Sequence, residues 1–208
     1  MYHAVIFDFG GVFTASPFEA FARFERDRGL PENFLRQVNA MNHLENAWAR
    51  LERAEIDHDT FDELFAAECR ALGHEVQGRD VLPLLVGEPR PAMAEALRRI
   101  HARMKTGCIT NNLPAGGTHN MASMYKRDVL IHFDHVIESS KIGMRKPDPR
   151  IYQMMVEALD VAPAACIYLD DLGVNLKPAR AMGMATIKVG DPDAALDELA
   201  ILVGFALR

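Results

Sequence analysis

Residues 4–11 of the chain read AVIFDFGG. Four consecutive apolar residues that include β-branched and aromatic side chains are typical of a strand buried on both faces. The glycine pair after them predicts a tight turn. Ala4–Phe7 therefore predicts a central strand of a parallel sheet, and Asp8 lies at its carboxyl end, the edge where open parallel sheets bind ligands.

Four more short apolar runs follow the first one, and segments with helical periodicity separate them. This alternation indicates parallel strands connected by crossover helices. We therefore predict an α/β fold with a doubly wound, Rossmann-like parallel sheet. The further predicted strands are Gly107–Thr110, His135–Glu138, Cys166–Leu169 and Ala185–Val189.

Several helix boundaries can be located from capping residues. Asp148 and Asp191 each stand directly before a proline, which predicts an N-cap followed by the first helical turn. Gly183 has the position of a left-handed helix terminator before the last strand. We expect the final helix to run from about residue 193 to residue 203.

About seventy residues separate the first strand from a helix that begins near Pro91, and they contain no convincing strand. Apolar stripes predict helices there, and the spacing of Thr60 and Glu63 predicts a capping box at the start of one of them. At 208 residues the chain is long enough for one α/β domain with an insert. We predict a core domain of residues 1–14 and 86–208 and a helical insert of residues 15–85.

The overall charge and composition exclude some classes of partner. A formal net charge of −6 argues against a nucleic-acid-binding surface, since such surfaces neutralise phosphates with lysine and arginine. No apolar run reaches the roughly 18 residues of a membrane span or resembles a signal peptide, so we expect a cytoplasmic protein. Cys69, Cys108 and Cys166 form no C-x-x-C pair and are expected to be buried free thiols.

Polar clusters stand at or near the predicted strand ends. Each has an ordinary alternative: Asp8 as a turn cap, an asparagine-rich turn, a solvated loop lysine, and an acidic pair resolved by solvation. Together they supply a carboxylate, phosphate-contacting donors, a fixed cation and a site for Mg²⁺, as phosphoryl transfer requires. The clusters are Asp8, Thr110–Asn112, Lys146 and Asp170–Asp171.

The ordered set VIFDFGGV, CITNN, KPDP and IYLDD resembles the four motifs of the haloacid dehalogenase superfamily. Residues from Ser140 to about Val203 are most similar to the phosphatase domain of soluble epoxide hydrolases. The first motif resembles that of the hydrolase-like domain in acyl-CoA dehydrogenase family member 10 proteins. The resemblance covers the α/β part, whereas the helical insert matches only in placement and length.

The resemblance implies a Mg²⁺-dependent phosphatase that acts on a small phosphorylated substrate. Asp8 corresponds to the nucleophile that forms an aspartyl-phosphate, and it would also bind Mg²⁺ with the Gly10 carbonyl and Asp171. Asp170 would contact these ligands without binding the metal itself, or would replace one of them as a ligand. The insert corresponds to a helical cap that selects substrates.

The resemblance also implies a phosphate site. Thr110 and Asn111 would hold the phosphoryl oxygens together with Lys146, which would also neutralise the nucleophile. The adjacent Asn112 belongs to the same strand-end cluster and is a further candidate for phosphate binding.

The sequence departs from the family at Gly10, where many phosphatases of this type carry a second aspartate that protonates the leaving group and later acts as a base for water. Its absence predicts slow turnover, an activated leaving group, or a replacement proton donor from the insert, for which the candidates are His43, Glu45, His58 and Glu68. Two alternatives stay open: hydrolysis at carbon as in 2-haloacid dehalogenases, and binding of a phosphorylated ligand without turnover. The sequence indicates neither the substrate nor the oligomeric state.

Overall fold

A computed structural model of the chain describes residues 1–114 and 121–208, with side chains in the second range from residue 124 onward. Its centre is a five-stranded sheet in the order β3-β2-β1-β4-β5, in which every pair of neighbours is parallel. The predicted fold class is therefore confirmed. The strands are β1 Ala4–Phe7, β2 Lys105–Thr110, β3 His135–Glu138, β4 Cys166–Asp170 and β5 Ala185–Lys188.

Helices cover both faces of the sheet and fill the segment after β1. In the described parts of the chain, none of them combines the length and the apolar character that a membrane span requires. Short 3-10 turns occupy Leu82–Leu85 and Pro163–Ala165. The helices are α1 Phe18–Arg28, α2 Phe34–Ala40, α3 Ala47–Glu52, α4 His58–Ala71, α5 Gly78–Val81, α6 Pro91–His101, α7 Met121–Leu130, α8 Ser139–Ile142, α9 Pro149–Ala158, α10 Gly173–Ala181 and α11 Pro192–Val203.

Strand β1 is completely buried because apolar layers pack on both of its faces. Val5 and Phe7 belong to a cluster that includes side chains of α6 and α11, whereas Ala4 and Ile6 belong to a cluster with α9 and α10. This explains why the strand is apolar throughout rather than alternating. The buried strand also fixes the position of Asp8, which directly follows it at the centre of the sheet.

The helical segment has an apolar cluster of its own. Trp48 is buried in it, with its ring centroid 5.3 Å from that of Phe61 and 6.2 Å from that of Phe65. The two ends of the helical segment lie next to each other, since Thr14 and Pro89 form an antiparallel bridge. The division into a core of residues 1–14 and 86–208 and an insert of residues 15–85 stays a prediction that agrees with this arrangement.

Most of the predicted boundaries agree with the structure. The Asp148 and Asp191 side chains cap α9 and α11, and Gly183 has a φ of +92°. The predicted N-cap Thr60 was wrong: α4 already begins at His58, and the Asp57 carboxylate accepts the Thr60 N–H at 2.8 Å. Aspartate caps helices at least as well as threonine, so the earlier residue starts the helix.

The three cysteines are buried free thiols, as expected. Burial raises the pKa of Cys69 to about 12 and that of Cys166 to about 11. Burial likewise raises the pKa of the Cys108 thiol. Because the thiolate is the reactive form, none of the three has the environment of a reactive cysteine.

The turn after β1 places different demands on its two glycines. Gly11 has a φ of +72°, and a Cβ atom there would lie 2.1 Å from Oδ2 of Asp171. At Gly10 the φ is not positive, and a Cβ atom would meet nothing within 4 Å. The close approach of this turn to the end of β4 therefore requires glycine at position 11 alone.

We expect Gly11→Ala to lower the free energy of unfolding by at least about 2 kcal/mol, because the substitution adds both backbone strain and a clash. The matched control Gly10→Ala is expected to change it by less than about 0.5 kcal/mol, as for other exposed positions. Urea unfolding of both variants measures the difference. Equal losses of stability would contradict this account of the turn.

Candidate active site at the carboxyl edge of the sheet

Three carboxylates meet where β1 and β4 end. The strand register pairs Ile6 with Tyr168, so the residues two positions further on, Asp8 and Asp170, lie next to each other on the same face. Asp171 follows directly. Carboxylate oxygens of Asp8, Asp170 and Asp171 all lie within 4.8 Å of one another.

A buried ammonium group lies between two of these carboxylates. Nζ of Lys146, whose side chain is only 1% exposed, lies 2.8 Å from Oδ1 of Asp8 and 2.8 Å from Oδ2 of Asp170. Burial alone would lower the pKa of Lys146, but Asp170 and Asp8 outweigh it and raise the pKa above its ordinary value. Lys146 is therefore a permanent positive charge inside the site.

The backbone of Lys146 is held by the side chain of Asn111. The Lys146 N–H donates to Oδ1 of Asn111 at 2.8 Å, and Nδ2 of Asn111 donates to the Lys146 carbonyl at 3.1 Å. Both polar groups of the amide are thus engaged by one peptide segment. The Asn111 side chain fixes the position from which the lysine reaches the carboxylates.

Asp170 is fully buried, and both of its oxygens accept hydrogen bonds from the protein. Oδ1 accepts the Leu172 N–H at 2.8 Å and Nδ2 of Asn175 at 3.1 Å. Oδ2 accepts Nζ of Lys146 at 2.8 Å and the hydroxyl of Tyr168 at 2.6 Å. This carboxylate is saturated with protein donors, so its geometry suits holding the lysine better than binding a metal.

Asp8 and Asp171 are more accessible to a ligand. Oδ1 of Asp8 accepts the Phe9 N–H at 2.6 Å as well as the lysine, whereas no donor from the described residues reaches Oδ2. Oδ2 of Asp171 accepts the hydroxyl of Ser16 at 3.1 Å. Burial and the neighbouring Asp170 raise the pKa of Asp171 to about 6.

Burial also raises the pKa of Asp8 well above its ordinary value, against the opposing effect of Lys146. Three carboxylates and one ammonium leave two negative charges uncompensated when all four are ionised. A hard divalent cation with oxygen ligands would balance them. The side chains present therefore fit Mg²⁺, with Asp8 and Asp171 as the available carboxylates.

Three of the four predicted phosphate-binding residues lie at the end of β2 or directly after it: Thr110, Asn111 and Asn112. Thr110 is 5% exposed at that strand end. Oδ1 of Asn112 accepts the N–H and the hydroxyl of Ser140 at 3.1 and 3.0 Å, and Nδ2 of Asn112 donates to Glu138 at 3.1 Å. The side chain of Asn112 thus ties β2 to the start of α8, and phosphate binding by these residues stays a prediction.

The end of α3 packs against the segment that carries Lys146. The Ser139 hydroxyl donates to the Glu52 carbonyl at 2.7 Å, and Nε of Arg145 lies 2.6 Å from Oε2 of Glu52. Arg145 also donates to the carbonyl of His43 at 3.0 Å. The helical segment therefore contacts the site through Glu52, a residue that periodicity alone did not single out.

The predicted replacement proton donors occupy other positions. Glu68 accepts the Ala47 N–H at 2.7 Å at the start of α3. The His43 and Glu45 side chains are exposed and His58 is partly buried in the first turn of α4. Within the described residues, the structure assigns none of them a contact with Asp8.

A family model described as haloacid dehalogenase-like hydrolase matches residues 2–183. The chain is 34% identical to mouse acyl-CoA dehydrogenase family member 10 over 100% of its own length and 20% of that protein. It is 31% identical to pig bifunctional epoxide hydrolase 2, with 98% of the chain and 39% of that protein aligned. The chain thus spans well under half of these two relatives.

Phosphatase MT3486 of Mycobacterium tuberculosis is a relative of similar size. It is 31% identical over 87% of the chain and 84% of its own length. Among solved structures, a haloacid dehalogenase family enzyme from Bacteroides thetaiotaomicron in complex with magnesium and inorganic phosphate aligns with a TM-score of 0.58. At 16% identity, over 92% of this chain and 96% of that one, this likeness supports the fold alone.

The family model covers most of the chain, and a relative above 30% identity is matched over most of its length. Both results agree with the order of the four motifs along the sequence. The chain belongs to the haloacid dehalogenase-like hydrolases.

Proposed function

We propose that the protein is a Mg²⁺-dependent phosphatase that hydrolyses a small phosphomonoester through an aspartyl-phosphate at Asp8. The observation that carries the proposal is the geometry around this carboxylate. One oxygen is held by Lys146 and the Phe9 N–H, while Oδ2 has no donor among the described residues. A relative of similar size is a phosphatase, which supports the same reaction class.

Oδ2 of Asp8 would attack the phosphorus atom, the bond from phosphorus to the leaving oxygen would break, and that oxygen would take a proton from water. A second water molecule would then attack the phosphorus of the aspartyl-phosphate, which releases inorganic phosphate and restores the Asp8 carboxylate. Lys146 would neutralise the phosphoryl oxygens while Asp170 and Asn111 keep it in place. Thr110 would donate its hydroxyl to a phosphoryl oxygen. In this proposal the Asn111 and Asn112 side chains shape the phosphate site by holding the Lys146 backbone and the start of α8.

Asp8, Asp171 and the Gly10 carbonyl would hold Mg²⁺, which when bound supplies positive charge to the phosphoryl oxygens. Asp170 is a weaker candidate ligand since its oxygens already accept protein hydrogen bonds. We further propose that residues 15–85 act as a cap over the site, because α3 meets the Lys146 segment through Glu52 and Arg145.

Hydrolysis at carbon, as in 2-haloacid dehalogenases, is the less favoured reaction. A haloacid substrate is itself an anion, and two negative charges in the site already lack a partner. Without a metal these charges would repel such a substrate. A phosphomonoester that arrives with Mg²⁺ avoids this repulsion.

The role of Asp8 can be tested by mutation. The wild-type protein should release phosphate from p-nitrophenyl phosphate with Mg²⁺ and lose this activity with EDTA. Asp8→Asn keeps the size of the side chain but removes the nucleophile, so we expect activity to fall at least about 10³-fold. Phosphate release by the purified variants, with melting temperatures as the folding control, measures the effect.

Retained activity in Asp8→Asn, or activity that EDTA does not change, would contradict the proposal. Halide release from 2-chloropropionate that is insensitive to EDTA would instead support hydrolysis at carbon. Binding of inorganic phosphate with no turnover of any phosphomonoester in a broad panel would indicate a ligand-binding protein.

The effect of the missing acid at position 10 can be tested by adding a carboxyl group there. A Cβ atom at Gly10 would meet nothing within 4 Å, so the space where an aspartate side chain would begin is open. General acid catalysis typically contributes about 10²–10⁴-fold. We expect Gly10→Asp to raise kcat/KM on an alkyl phosphate by at least about tenfold, with a smaller effect on kcat/KM for p-nitrophenyl phosphate, whose leaving group needs little protonation.

Gly10→Asn is the matched control, because it has the same shape and no carboxyl group. Steady-state kinetics of the wild type and both variants on the two substrates gives the comparison. If the asparagine and aspartate variants change kcat/KM for the alkyl phosphate alike, the idea that the missing acid limits departure of the leaving group is wrong.

A further inference from the structure

A buried tyrosine hydroxyl contacts the same carboxylate oxygen as the active-site lysine. The hydroxyl of Tyr168 donates to Oδ2 of Asp170 at 2.6 Å, and Nζ of Lys146 lies 2.8 Å from this oxygen. Tyr168 and Asp170 are two residues apart on β4, so both side chains lie on one face of the strand. Each is 0% exposed, so bulk water does not reach either group.

The ring that carries this hydroxyl is itself fixed. Tyr168 packs edge-on against Tyr152, with ring centroids 5.4 Å apart and an interplanar angle of 85°. The Tyr152 hydroxyl donates to the Asn175 carbonyl at 2.7 Å, and among the described residues it makes no hydrogen bond to Asp8, Asp170 or Asp171. The two tyrosines are therefore equally buried neighbours, of which only Tyr168 donates to Asp170.

The lysine depends on this arrangement because its side chain is long and flexible. Lys146 reaches Asp8 through four methylene groups, and its ammonium lies 2.8 Å from an oxygen of each of the two carboxylates. Asp170 can hold it only while its own carboxylate is fixed. Oδ2 of Asp170, the oxygen that contacts the lysine, accepts the Tyr168 hydroxyl at 2.6 Å and Nδ2 of Asn175 at 3.1 Å. The bond from the hydroxyl is the shorter of the two, and hydrogen bonds to ionised groups are the strong ones.

We propose that Tyr168 is a positioning residue that acts through Asp170 to hold the Lys146 ammonium against Asp8. The kinetic part of this inference rests on the proposed phosphatase function. The structural part, the fixed position of Lys146, does not. Phenylalanine at position 168 would keep the packed ring and remove only the donor.

We expect Tyr168→Phe to lower kcat for p-nitrophenyl phosphate about tenfold, because Lys146 neutralises charge during phosphoryl transfer. KM and the Mg²⁺ concentration for half-maximal activity should change less than about twofold, since the ligand groups of Asp8 and Asp171 remain. Tyr152→Phe removes a hydroxyl that is equally buried, so it controls for loss of stability. We expect its kcat to stay within about twofold of the wild type, with a similar shift in melting temperature.

A second readout is independent of catalysis. In ¹⁵N-lysine-labelled protein, a buried and hydrogen-bonded ammonium exchanges its protons slowly and gives a distinct NMR signal, which Lys146→Met would assign by its disappearance. We expect this signal to persist in Tyr152→Phe and to broaden or shift in Tyr168→Phe. The experiment needs no substrate and uses the full chain.

Equal effects of the two phenylalanine variants on kcat, or an unchanged Lys146 signal in Tyr168→Phe, would overturn the proposal. If the wild type hydrolyses no phosphomonoester, the proposed function fails and the NMR comparison alone decides the inference. Selective loss of the Lys146 signal in Tyr168→Phe would then still support the positioning role.

Discussion

Burial of the Lys146 ammonium between Asp8 and Asp170 is the interaction on which the rest of the site depends. An isolated charge inside a protein is costly, and it is tolerated only when partners and hydrogen bonds surround it. Here the partners come from β1 and β4, which are adjacent in the centre of the sheet. The sheet order, the strand register and the hydrogen bonds between the Asn111 side chain and the Lys146 backbone bring Lys146, Asp8 and Asp170 together.

The same cluster carries an excess of negative charge that a bound cation would balance. Lys146 compensates one of three carboxylates, and the pKa of Asp171 rises to about 6 because burial and Asp170 both disfavour its charge. Because the pKa of Asp171 is raised, the metal-free protein loses stability as the pH rises from the ordinary aspartate value of 3.8 to about 6. A divalent ion bound to Asp8 and Asp171 would offset this cost.

Much of the fold could be predicted because its signals are local. Apolar runs gave the five strands within about two residues, and aspartates before prolines marked the starts of α9 and α11. The helix start predicted at Thr60 was wrong because Asp57, three residues earlier, is the better N-cap and accepts the Thr60 N–H. The site contacts of Asn111, Tyr168 and Glu52 could not be predicted, since each depends on side-chain geometry or on a partner far away along the chain.

In the proposed reaction Asp8 becomes covalently phosphorylated during turnover. This step is tested by acid-quenching the protein with Mg²⁺ and p-nitrophenyl phosphate in the steady state and mapping the phosphoryl group by peptide mass spectrometry. Because Gly10 provides no base to activate water, the account predicts that the intermediate accumulates, with the added mass on the peptide that contains Asp8. Continued release of phosphate with no phosphorylated peptide, or with the group on another residue, would contradict it.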